Sequence, residues 1–155
     1  MKFSRLLLIT FLLGLFQLTW LQYFGVFGVK PDLLLACVVM AGLFFETRRA
    51  VAFGVGVGMF KDLFGLSHFG PNVFLFGLWG FLAARITREI SIEDNLSAGA
   101  LLLVIALAQN ILSGFALVYS GGLVLPGIFL RIVLLGSLYT ALILPLILKV
   151  AKAKI

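Results

Sequence analysis

The two longest stretches of this chain without charge, Leu6 to Val29 and Asn95 to Leu130, restrict its fold more than any motif does. An apolar run of about 20 residues is long enough to cross a hydrocarbon core as a helix. The second stretch is too long for one helix, and Ser120-Gly121-Gly122 divides it. The remaining sequence agrees: 63% of residues are hydrophobic, 12% are charged and the mean hydropathy is +1.21. A soluble domain carries about 25% charged residues. Lipid is therefore the expected solvent, and the chain reads as an all-α integral membrane protein, a bundle of about six transmembrane helices in a single domain, 1–155.

The expected spans are 6–24, 31–47, 48–66, 71–86, 96–119 and 124–148. Lys2 and Arg5 before the run Leu6 to Phe16 imitate a signal peptide. The bulky Gln17-Leu18-Thr19-Trp20-Leu21 that follows does not resemble a cleavage site, so the reading is a retained first helix. Spans two and three reach roughly 26 to 28 Å at 1.5 Å per residue. One re-entrant hairpin there would instead bury Glu46, Arg48 and Arg49, at about 2.5–3.5 kcal/mol for each charge. Two spans are preferred. Thr87 to Asn95 reads as a solvated connector.

With the first end inside, Lys2, Arg5, Arg48, Arg49, Arg85, Arg88, Lys149, Lys152 and Lys154 all lie on the cytoplasmic side, nine of the twelve basic residues. That bias predicts N-in, C-in topology. The net charge of +6 then belongs to orientation and to anionic membrane lipids, and no nucleic-acid partner is expected. The lone Cys37 lies in an apolar run and reads as a packing residue, with no disulfide and no thiolate metal site.

Under this topology the second, fourth and sixth helices begin at the outer face near Pro31, Pro71 and Pro126, with Asp32 and Asn72 directly after the first two. Proline suits a first helical turn, and a carboxylate is favoured at the positive end of the helix dipole. Well-capped helix starts or an outer-face partner site would both use these residues. Gly54, Gly58 and Asp62 are spaced by four and share one helical face, as small residues do where helices approach closely in lipid. Asp62 at the end of that helix opposes the dipole and needs compensation. Arg131, some seven residues inside the last span, is the expected partner for Asp62 or Asp32, unless it snorkels outward alone. Gln109 and Asn110, with Ser113-Gly114 one turn on, are candidate polar contacts between helices or the wall of a polar pocket.

Enzyme signatures are weak. His68 is the single histidine, and Gly65-Leu66-Ser67-His68-Phe69 lacks the last glycine of a nucleophile elbow. Asp32 and Asp62 could form an acid dyad, but each has a lysine nearby that explains it as an ion pair. No catalytic residue, metal site or cofactor is expected.

Pro31-Asp32-Leu33-Leu34-Leu35, Gly54, Gly58, Asp62-Leu63-Phe64-Gly65, Gly70-Pro71-Asn72 and Trp79-Gly80 together resemble the rod shape-determining protein MreD family. The resemblance implies a fold similar to the substrate-binding subunits of energy-coupling-factor transporters. It implies a non-enzymatic inner-membrane scaffold of the cell-elongation machinery, with an MreC-like bitopic protein as partner and MreB, RodA or a penicillin-binding protein nearby. The groove at Gly54, Gly58, Asp62, Gly70 and Asn72 is the expected seat of the partner's membrane segment. The alternative is a substrate-binding membrane subunit of a small-molecule, vitamin-type transporter. Such subunits often dock through Ala-x-x-x-Ala in the first helix, and residues 6–29 contain no alanine.

Overall fold

The computed structural model describes residues 2–19, 23, 31–64, 70–119, 121–123 and 125–152. Trp20, Lys30, His68, Ser120 and Lys154 lie outside them. Among the described residues the structure is all-helical, with six helices: α1 (Phe3–Thr19), α2 (Leu33–Phe44), α3 (Thr47–Phe64), α4 (Pro71–Ile90), α5 (Asn95–Tyr119) and α6 (Pro126–Lys152). Of these, α5 and α6 are long and apolar enough to cross a membrane.

The centre is α2. Every residue from Leu33 to Gly42 is buried, and α2 packs against all five other helices. Its residues are apolar all round, which is the pattern of a helix buried on every side. The expected span 31–47 is shortened at both ends. Pro31 and Asp32 precede the helix, with Asp32 as its cap, and Phe45 is extended at φ −120° and ψ 163°. The 12 residues rise about 18 Å instead of the expected 26. A helix sheathed in protein has no bilayer width to match.

The closest pair is α3 and α4, which run antiparallel through a two-sided small-residue contact. Gly54 lies on the backbone of Phe76 and Gly77, Gly58 on Asn72 and Val73, and Gly80 on Ala50. Each step of four along α3 thus meets a step of four back along α4. A Cβ at Gly80 would stand 2.5 Å from the Ala50 carbonyl oxygen, so the backbones touch directly. Gly42 brings α2 equally close to Ala83 on α4.

Helix ends follow local chemistry. Proline opens α4 at Pro71, after Gly70 at φ 125°, a backbone shape that disfavours any residue with a Cβ. At the other end Ser91 caps α4 in the left-handed region at φ 51°, and its N–H donates to the Thr87 carbonyl. Thr87 to Ile90, expected in the solvated connector, are therefore the last turn of α4. Arg85 and Glu89 pair across it at 3.1 Å, the i, i+4 contact of a continuous helix.

On the outside, α1, α5 and α6 expose long rows of Leu, Ile and Phe, such as Leu8, Phe11, Phe115 and Leu142. On α1 only Leu6, Thr10 and Gly14 are buried, one residue per turn. The sole cysteine, Cys37, has no exposed surface on α2. We expect a maleimide to leave the folded protein unlabelled and to react only after denaturation. Labelling of the native protein at the rate of a free thiol would contradict this burial.

Candidate functional site

The polar side chains singled out by the sequence gather where α2 begins, α3 ends and α4 begins. Four residues along a helix return to one face, so Asp62 continues the line Gly54–Gly58 onto the start of α4. Its carboxylate is 4% exposed. Oδ2 accepts from the backbone N–H of Gly70 (3.0 Å) and of Val73 (3.2 Å), and Oδ1 accepts from Asn72 Nδ2 (2.7 Å).

This arrangement is a helix cap supplied by a neighbouring helix. Gly70 occupies the cap position of α4 and has no side chain to offer. Asp62 takes over that role, satisfying two N–H groups that would otherwise lack acceptors. Its negative charge also faces the positive end of the α4 dipole. That is the compensation Asp62 requires at the end of α3.

Arg131 does not provide it. Its side chain is exposed on α6, and among the described residues it forms no ion pair. The expected Arg131–Asp62 or Arg131–Asp32 pair is replaced by Lys61 and Asp32. Lys61 Nζ donates to Asp32 Oδ2 at 2.6 Å and lies 4.9 Å from the centre of the Phe76 ring. The two carboxylates are thus held by separate partners and do not form a dyad.

The start of α2 is fully accounted for. Asp32 Oδ1 accepts from Leu35 N–H at 3.1 Å, and Gln17 Oε1 from α1 accepts from Leu33 (3.0 Å) and Leu34 (3.3 Å). The Asp32 N–H donates to Thr140 Oγ1 on α6 at 3.0 Å, and Thr140 in turn donates to the Gly136 carbonyl. Sequence reasoning missed Gln17 and Thr140. The only signal either gave was being polar inside an apolar run.

A second polar line joins α4, α5 and α6. Trp79 Nε1 donates to Gln109 Oε1 at 2.6 Å, Gln109 Nε2 donates to Ser113 Oγ, and Asn110 Nδ2 donates to Ser137 Oγ at 3.0 Å. Gln109 is 2% exposed, and its amide makes a contact between α4 and α5. Replacing Gln109 with Leu is expected to cost about 1 kcal/mol by stranding the Trp79 indole N–H. Thermal unfolding in detergent measures it; an unchanged midpoint would mean the indole finds another acceptor.

Gly54 and Gly58 are not available to a foreign helix. Of the expected partner groove, Gly54, Gly58, Asp62 and Asn72 are taken up in the chain's own α3–α4 contact, whereas Gly70 borders an open apolar groove. Among the described residues, every buried side-chain nitrogen and oxygen has a hydrogen-bond partner. The cluster as built fixes three helix ends in one place. Comparison with protein-family models, with curated proteins and with solved structures finds no match to this chain.

Proposed function

We propose that this chain is a non-enzymatic scaffold of the bacterial cytoplasmic membrane, with about six membrane-embedded helices, both ends inside, and a role of the MreD kind in cell elongation. One observation carries the reading. Of the residues that give the sequence its resemblance to that family, Asp32, Gly54, Gly58, Asp62, Gly70 and Asn72 serve one saturated cluster that locks α2, α3 and α4. Such a cluster holds a shape and offers no free group to a reacting substrate.

The exposed rows of Leu and Phe on α1, α5 and α6 support the bilayer as solvent. They also leave room for a partner. Beyond Gln109 on α5 and before Thr140 on α6, most side chains face outward, including Phe115, Val118, Leu130 and Leu134. The membrane segment of an MreC-like bitopic protein would pack there, since the small face of α3 is taken.

Affinity purification from native membranes tests the reading. Recovery of a bitopic protein with an extracytoplasmic coiled coil is the expected result. Recovery of an ATPase pair would replace the scaffold with a transporter subunit. Topology is tested separately with Arg48→Cys, since Cys37 is sheltered. Labelling of that thiol from outside the cell would overturn the N-in orientation.

A further inference from the structure

We propose that the surface of the α3–α4 pair turned away from the bundle is a binding site for one anionic phospholipid of the cytoplasmic leaflet. The inference rests on the membrane placement proposed above. Two hollows on this face share Phe81 in their linings. The larger is an open apolar groove of about 530 Å³ between Val51, Val55, Val73, Phe74, Leu78 and Phe81. The smaller, about 240 Å³, is bounded by Thr47, Phe81, Arg85, Arg88 and Glu89.

The sequence builds this zoning from two helical stripes. On α3, Thr47, Val51 and Val55 are four apart; on α4, Phe74, Leu78, Phe81, Arg85 and Arg88 recur at three or four. Each stripe is apolar along its length and polar only at the end where α3 starts and α4 stops. From Arg85 to Gly70, which also lines the groove, the chain rises about 22 Å. One leaflet's acyl chains occupy half of a roughly 30 Å hydrocarbon core, or about 15 Å. The groove therefore runs deeper than one leaflet, has room for an acyl chain entering from the cytoplasmic side, and carries its charge at the headgroup end.

Charge selects the headgroup. Arg48, Arg49, Arg85 and Arg88 lie at this end of α3 and α4 with Glu46, Glu89 and the connector residues Glu93 and Asp94, but the hollow itself is lined by two arginines and one carboxylate, Glu89. Glu89 is engaged by Arg85, whereas Arg88 forms no ion pair among the described residues. Guanidinium groups bind phosphate oxygens through charge-assisted, often bidentate hydrogen bonds. A zwitterionic lipid would bring a cation against the same arginines.

The test is native mass spectrometry of the full chain in detergent, supplied with equal phosphatidylglycerol and phosphatidylcholine of identical acyl chains. One phosphatidylglycerol adduct is expected to persist. Arg85→Gln with Arg88→Gln should reduce it about tenfold, and Val55→Trp, which fills the groove, should reduce it with both arginines present. Arg131→Gln, at the other end of the bundle, should leave it unchanged. Equal retention of the two lipids, or an adduct that survives the paired arginine variant, overturns the proposal. So does equally tight binding of glycerol phosphate, which would mean a headgroup pocket with no use for the groove. A protein that stayed monodisperse without detergent would refute the membrane placement itself, whereas a detergent-dependent protein with no lipid preference refutes only this site.

Discussion

Replacing Gly54 with alanine should unseat α4 from α3, while the same change at Gly56, two residues away, should do no harm. A methyl at Gly54 would point into the Phe76 carbonyl, and at Gly58 into that of Asn72. At Gly56 it would meet nothing within 4 Å. The obstruction at Gly54 is backbone, which a rotamer change does not relieve. Overpacking commonly costs about 1–3 kcal/mol, and a clash with a helix backbone belongs at the upper end. Gly56→Ala should instead gain about 0.5–1 kcal/mol from helix propensity alone. Thermal unfolding in detergent, read beside gel filtration, separates the two. Equal midpoints for the Gly54 and Gly56 variants would mean that α3 and α4 do not touch as described.

Removing the carboxylate of Asp62 is the second large effect. Asp62→Ala leaves the N–H groups of Gly70 and Val73 and the amide of Asn72 without their acceptor. Hydrogen bonds to a charged group contribute about 1.5–3 kcal/mol, and stranding buried donors adds to the loss. A deficit of about 3–4 kcal/mol is expected. Asp62→Asn should be intermediate, because its single carbonyl oxygen serves the backbone pair while its NH2 faces the Asn72 amide. Combining Asp62→Asn with Asn72→Asp restores a donor opposite an acceptor, and part of the stability should return. If the swap is no better than Asp62→Asn alone, Asn72 is not the partner of Asp62.

Six helices, and their order, were legible because uncharged runs and breaks such as Ser120-Gly121-Gly122 act over many residues at once. The small face of α3 was legible too, since a spacing of four needs no knowledge of the fold. What fills such a face is not written in the spacing. A foreign helix and the chain's own α4 leave the same glycines. Asp62 visibly needed compensation, yet its partners are a backbone N–H at Gly70, another at Val73 and a neutral amide. An inventory of opposite charges looks past all three and settles on Arg131.

The Lys61–Asp32 pair was hidden for a related reason. Lys61 and Asp62 are neighbours in sequence, but successive helical residues point about 100° apart. Lys61 therefore turns toward α2 while Asp62 turns toward α4. The apolar run of α2, Leu33 to Phe45, is visibly short, but its span was lengthened to 31–47 because width was judged against a bilayer, whereas α2 is surrounded by the five other helices. Gln17 and Thr140 had to wait for the structure, since a cap contributed from another helix leaves no local pattern.

The bond from the Asp32 N–H to Thr140 joins residues 108 positions apart. As the ribosome delivers the chain, α2 emerges with only α1 ready to cover it. Its remaining flanks stay bare until four later helices arrive, and its first turn is not sealed until the last of them is about half made. Birth order and enclosure thus run in opposite directions: the innermost element is among the earliest made and the last to be closed in. A nascent chain halted before Thr140 would hold an unfinished centre, which makes the final helix the step that commits the whole.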